Sequence, residues 1–239
     1  MNRLEIESSI NTIEVPNSLD LEMHNAFKIS RYTHDYILNY LNCRSRDETI
    51  SREEFGQHVL LKMNEFRDEV LPQLRRIRDN PIATADFNKN IFTFSGTEIF
   101  SKANDYTRLI NRKLGEYLER ITLFSPVCFS MEQNFEGLKL TGVDVIFLRN
   151  RELVYTQLKT KKDTLTGSQA PRSRMELTIY NNSMFVALLN LGSKWTFSPR
   201  NSSVERVSGE SFWELIGLFY DIVESEVSRV ILEIEQDLF

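Results

Sequence analysis

Cysteine is nearly absent from this chain: Cys43 and Cys128 are the only two in 239 residues. They lie far apart, and neither belongs to a CxxC or zinc-knuckle pattern. A disulfide scaffold and a thiolate zinc centre are therefore excluded, and two reduced thiols are expected. Histidine is almost as scarce. His24, His34 and His58 fall on helical segments without the HExxH spacing of a zinc site. Nine glycines and six prolines are too few for a low-complexity chain. No apolar run approaches the ~20 residues of a membrane span. The opening MNRLEIESSINTIEV has no signal-peptide core, so a cytoplasmic protein is expected.

What is present is an ordinary globular composition, 41% hydrophobic, 11% aromatic and 26% charged. Such a chain can bury a sizeable core, as one large domain or a core with a smaller attached part. The net charge of −5 argues against a surface covered with nucleic-acid contacts. It leaves room for a local basic stripe, because the field that matters is local. One exists: between Lys159 and Arg174 lie Lys159, Lys161, Lys162, Arg172 and Arg174, against the single anion Asp163.

The first third reads as helical. One segment opens at Pro16-Asn17-Ser18 and runs to about Cys43. A second starts at Ser51, where Ser51 and Glu54 form a capping box and Ile50 with Phe55 a hydrophobic staple. It ends at Asp79-Asn80-Pro81. An N-terminal helical subdomain over residues 1–80 and a core over 81–239 are expected. Ile91 to Phe94 suggests a short strand. Ile110, Leu114, Tyr117, Leu118 and Ile121 keep helical spacing over about 104–124. Strand-like runs follow at 126–131, 138–149 and 152–160, then a helix from about Ser173 to Leu191 and a strand at Lys194–Ser198. A closing amphipathic helix spans about 210–237. That order implies an α/β fold, a mixed β-sheet flanked by helices.

The informative stretch is Gly142 to Lys159. Both halves carry the β-branched and aromatic residues of strands, and Asn150-Arg151 suits a two-residue turn. Leu148 then faces Leu153, Ile146 faces Tyr155, and Asp144 faces Gln157. Side chains alternate along a strand, so Lys159 shares a face with Gln157. The turn register alone gathers a carboxylate, an amide oxygen and an ammonium. Directly opposed Cβ atoms lie about 4.5–5.5 Å apart, near enough to share a cation. Mg²⁺ takes oxygen ligands, and such a set suits phosphodiester hydrolysis.

This arrangement, an Asp, a hairpin and then (E/Q)-x-K, resembles the signature of the PD-(D/E)XK nucleases. The resemblance implies a restriction-endonuclease-like fold over roughly 104–199, with Mg²⁺ held by Asp144, Gln157 and the carbonyl of Leu158, and Lys159 assisting the attacking water. Two positions depart from the pattern: Val143 replaces the Pro that often precedes the Asp, and Gln157 replaces the usual Glu. Upstream, Gly115-Glu116-Tyr117-Leu118-Glu119 is similar to the family's Gly-x-x-Leu-Glu helix. That makes Glu119 the further acid at the site and Glu116 the fallback, although Glu119 falls nearly opposite the apolar stripe of its helix. Lys161, Lys162, Ser168, Gln169, Arg172 and Arg174 have the composition of phosphate and base-edge contacts. The loop Ser198–Ser203 is a second candidate contact. Phe212 and Trp213 read as core or interface aromatics.

The resemblance implies a homodimeric, bacterial type II restriction endonuclease acting on double-stranded DNA. The alternatives are another nuclease of the same fold, in phage defence, repair or transposition, and a non-catalytic DNA-binding module.

Overall fold

In the computed structural model, residues 1–16, 19–79, 91–192, 194–200 and 202–239 are described. Two compact units divide the chain: Met1–Phe55 with Glu119–Tyr220, and Gly56–Leu118 with Asp221–Phe239. Each is therefore assembled from two separated stretches of sequence. The boundary expected between residues 80 and 81 lies outside the described residues.

Helices α1 (Arg3–Ser9), α2 (Leu21–Asp47), α3 (Arg52–Asp79), α4 (Ile91–Phe94) and α5 (Glu98–Thr122) come first. Strand β1 (Cys128–Phe129), helix α6 (Met131–Asn134), strands β2 (Val145–Arg149) and β3 (Glu152–Lys159), helix α7 (Gln169–Thr178) and strand β4 (Ser183–Ala187) follow. Strand β5 (Glu205–Ser208) and helices α8 (Glu210–Leu215) and α9 (Tyr220–Leu238) close the chain. The result is an α/β fold with one five-stranded mixed sheet in the order β1-β2-β3-β4-β5. β1, β2 and β3 run antiparallel; β3, β4 and β5 run parallel.

Local chemistry explains the boundaries. Asp20 caps α2 by accepting the Met23 amide at 2.9 Å, so the helix starts a few residues beyond Pro16-Asn17-Ser18, of which Asn17 and Ser18 are outside the described residues. The Ser51/Glu54 capping box forms as expected, with the Glu54 amide on Ser51 Oγ at 3.2 Å and the Ser51 amide on Glu54 Oε2 at 3.0 Å. At the hairpin, Asn150 and Arg151 both take positive φ (54° and 66°), the backbone of a type I′ turn whose twist matches the flanking strands. The register is the expected one, Leu148 opposite Leu153 and Ile146 opposite Tyr155.

In the first unit α1 and α2 cover one face of the sheet. Ile6, Ile29, Ile37 and Leu41 pack there with Phe129, Ile146, Leu153 and Tyr155. Elsewhere in that unit Phe55, Phe147, Phe212 and Trp213 make a fully buried aromatic group, and Trp213 Nε1 donates to the Leu188 carbonyl at 2.8 Å. Phe212 and Trp213 are thus core residues. The second unit is helical, built from α4 and most of α3, α5 and α9. Phe66 and Tyr117 meet edge to face inside it, and Tyr117 donates to Glu69 at 2.9 Å. Arg67 pairs with Glu233 there at 2.9 Å.

Several expected elements are corrected. Ile91–Phe94 is a helical turn, not a strand. The helix expected over 173–191 ends at Thr178, and Ser183–Ala187 is a parallel strand buried at every position. Lys194–Ser198 is not a strand; Phe197 instead stacks on Phe185 with ring centroids 4.2 Å apart. The last parallel partner is Glu205–Ser208. The closing helix is two helices, separated where Gly217 takes φ +70°. Most of the run 126–131 lies outside β1, and α6 begins at Met131. Cys128 is buried, Cys43 is exposed, and both thiols are free.

Candidate metal centre

The hairpin keeps its register as far as Val145 opposite Thr156, where β2 stops. The Asp144 amide then donates to the carbonyl of that same Thr156 at 2.9 Å, one residue short of the Gln157 expected to face it. The Asp144 side chain then turns back on the partner strand, and its Oδ2 accepts the Leu158 amide at 2.7 Å. An extended residue points its N–H and C=O to the same side. The Leu158 carbonyl therefore faces the side on which Asp144 sits. Gly142, two residues before, has φ +75°, and Glu176 of α7 presses against it: a Cβ at position 142 would meet the Glu176 Cβ at 2.6 Å. Tyr180, two residues beyond the end of α7, donates its hydroxyl to the Thr141 carbonyl at 3.0 Å. Helix α7 thus holds the loop that delivers Asp144.

Asp144 and Gln157 line a pocket of about 200 Å³ together with Glu119, Glu132, Lys139 and Gly142. Gln157 is 8% exposed, and its Oε1 is buried with no hydrogen-bond partner. A buried amide oxygen left bare costs roughly 1–3 kcal/mol, so this atom is poised for a ligand that accepts a lone pair. The carboxylates show the same need. Burial raises the pKa of Glu119 to about 7, with the negative charges of Asp144 and Glu132 adding to it. Burial likewise raises Asp144, against the ammonium of Lys159 and the Leu158 amide, which favour its ionised form. Two acids that resist ionisation line one pocket with a bare amide oxygen, and a bound cation would relieve both. Oxygen-only donors match a hard divalent ion such as Mg²⁺. Among the described residues no group of three or more His, Cys, Asp or Glu is arranged for a metal. The oxygens that could serve a cation here are mixed, two carboxylates with an amide.

The structure separates Glu119 from Glu116. Glu119 reaches the pocket of Asp144 and Gln157, whereas Glu116 is bonded to Lys113 at 2.8 Å. Glu119 is half-buried at this end of α5, because Met131, Leu138 and Leu140 wall the same pocket. Glu132 and Lys139, ion-paired at 3.1 Å on its rim, were missed from sequence. Ser130-Met131-Glu132-Gln133 carried a signal for α6, the S-x-x-Q of a helix start, and Ser130 does accept the Gln133 amide at 3.3 Å.

The basic stripe is less free than its composition suggests. Lys161 pairs with Asp163 at 3.2 Å, and Lys162 donates to Asn190 at 2.6 Å. Arg172 is held between Glu22 and Glu176 at 2.9 and 2.7 Å. Gln169 accepts the Thr166 amide, and Ser168 precedes α7 without capping it. Arg174 donates to the Ser198 carbonyl at 3.3 Å and, with Arg200, lines a shallow groove that includes Gly167 and Thr196. In the second polar loop, Asn201 is outside the described residues.

Compared with known proteins, the chain matches no family profile, no curated protein and no solved structure. No helix among the described residues is long and apolar enough to cross a membrane.

Proposed function

We propose that the protein is a Mg²⁺-dependent endonuclease of double-stranded DNA, resembling the PD-(D/E)XK enzymes. The observation that carries this reading is the orphaned, buried Oε1 of Gln157 in one pocket with Asp144 and Glu119, both of which are pushed towards the neutral form. Asp144, Gln157 and Glu119 would hold the ion, with the Leu158 carbonyl as a further donor. Bound there, Mg²⁺ supplies Lewis acidity towards a phosphate oxygen and lowers the pKa of water.

The protein's own groups do the rest. The Leu158 amide fixes one oxygen of Asp144, leaving the other towards the pocket. Lys159 lies on the face of β3 that carries Gln157, and its charge already favours the ionised forms of Asp144 and Glu119. In this reading Lys159 would orient a water and neutralise charge on the scissile phosphate. Arg174 and Arg200, neither paired with a carboxylate among the described residues, are better candidates for the DNA backbone than Arg172. A sequence-specific type II restriction enzyme, acting as a homodimer on a twofold site, is the particular activity proposed.

Incubating the protein with plasmid DNA, with and without Mg²⁺, tests this. Discrete fragments that require the metal, and that Lys159→Ala reduces by at least about a hundredfold, are expected. Intact plasmid with every divalent ion tried would refute the nuclease reading; a metal-dependent smear would refute sequence specificity alone.

A further inference from the structure

We infer that a second pocket, at the turn end of the β2–β3 hairpin, binds a single phosphate group. It has a volume of about 180 Å³ and lies within the first unit, lined by Arg31 and His34 of α2, Arg151 of the turn, and Asn181 and Asn182 before β4. It shares no lining residue with the pocket of Asp144 and Gln157, and along β3 their nearest linings, Tyr155 and Gln157, are two residues or about 7 Å apart. The two pockets are therefore separate, and this inference stands whether or not the metal centre cuts DNA.

The two arginines of this pocket have no carboxylate partner among the described residues. Several arginines of the same unit meet a carboxylate: Arg3 meets Glu7, Arg44 meets Glu48, Arg149 meets Glu205, and Arg172 meets Glu22 and Glu176. Arg31 lies over the Phe27 ring at 5.2 Å, which positions its guanidinium without neutralising it. Arg151 occupies the second turn position at φ +66°, so the type I′ geometry sets where its side chain leaves the hairpin. Glu152 is the one carboxylate in the lining, and its Oε2 already accepts Asn182 Nδ2 at 2.9 Å. The wall is rigid: Tyr155 and Tyr180 stack at 4.5 Å with planes 12° apart. Burial holds the Tyr155 phenol protonated, with a pKa of about 12, so at neutral pH it is a donor and adds no negative charge.

Two guanidinium forks, an imidazole and side-chain amides match a tetrahedral oxyanion with several acceptor oxygens. The volume is below the roughly 300–1,000 Å³ that encloses an organic ligand, which favours one phosphate over a whole nucleotide. The group can come from free orthophosphate or a phosphomonoester, or from the backbone of a nucleic acid.

Calorimetric titration of the intact protein distinguishes these sources, with inorganic phosphate, a nucleoside 5′-monophosphate and a short DNA duplex in Ca²⁺ as the probes. Arg31 and Arg151 are exposed, so Arg31→Gln/Arg151→Gln is expected to fold like the wild type, as judged by circular dichroism. Arg46→Ala, which removes an exposed arginine elsewhere on α2, is the control. Saturable phosphate binding that weakens about ten- to a hundredfold in the double variant, and not in Arg46→Ala, supports the site. If duplex affinity falls in parallel, the ligand is a backbone phosphate; if it is unchanged, the ligand is free phosphate or a monoester. Equal affinity of wild type and double variant for all three probes overturns the inference.

Discussion

Replacing Gly142 by alanine tests how the Asp144 loop is held, and the structure fixes the size of the effect. The backbone there has φ +75°, a left-handed conformation that costs an L-residue roughly 1–2 kcal/mol. The new methyl group would stand 2.6 Å from the Glu176 Cβ. That atom is bonded to the backbone of α7 and cannot rotate away, so an overpacking cost of about 1–3 kcal/mol is added. The smaller conformational freedom of alanine in the unfolded chain returns roughly 0.4–1 kcal/mol. A net loss of about 2–4 kcal/mol is expected, read as a Tm lowered by about 5–15 °C. Urea and thermal denaturation measure it. Glu176→Gly on the Gly142→Ala background should recover part of the loss, because it removes the opposing Cβ; a double-mutant cycle reports this as favourable coupling. A Gly142→Ala protein within about 0.5 kcal/mol of the wild type would refute the close packing of α7 on this loop.

Three further outcomes are expected. Gln157→Glu places another carboxylate beside Asp144 and Glu119, so without divalent ions it should lower the Tm, and millimolar Mg²⁺ should raise the Tm more than in the wild type; a metal response equal to the wild type's would argue against Gln157 as a ligand. Glu119 is raised from 4.5 to about 7, so between those values the folded protein keeps a proton that the unfolded chain has lost. Metal-free stability should therefore fall as pH rises through this window, and Mg²⁺, which needs the ionised acid, should raise the Tm more at about pH 8 than at about pH 5.5. Equal shifts at both pH values would contradict it. Cys43, exposed, should react with a thiol reagent under native conditions, whereas Cys128, buried with its pKa pushed to about 12, should react only on unfolding; counting labels by mass spectrometry checks this.

The hairpin was legible because its determinants are local. Asn150-Arg151 admits a I′ turn, and the turn fixes the register as far as Val145 opposite Thr156; Asp144 departs from it by one residue but still lines one pocket with Gln157. Strand β4 was not legible for the opposite reason. Met184 to Leu189 is an unbroken apolar run, as a parallel strand buried on both faces requires, and such a run carries no alternation to tell it from a buried helix. β5 was hidden by Glu205 and Arg206, charges that protect a sheet edge and look like loop, while the aromatic alternation of Trp195 and Phe197 drew the strand assignment to a segment that packs on Phe185 instead. Glu119 could be named from its motif but not placed from its helix, because what covers it comes from Met131 to Leu140, beyond the reach of a helical wheel. The pairing of Arg172 with Glu22 spans 150 residues, and no local pattern announces it.

The direct test of the proposed metal site is anomalous diffraction from crystals grown with Mn²⁺, an oxygen-preferring stand-in for Mg²⁺. A peak about 2–2.4 Å from a carboxylate oxygen of Asp144 and from Oε1 of Gln157, lost in Asp144→Asn, is the result expected. Fully occupied Mn²⁺ elsewhere, with Gln157 Oε1 still bare, would contradict the account.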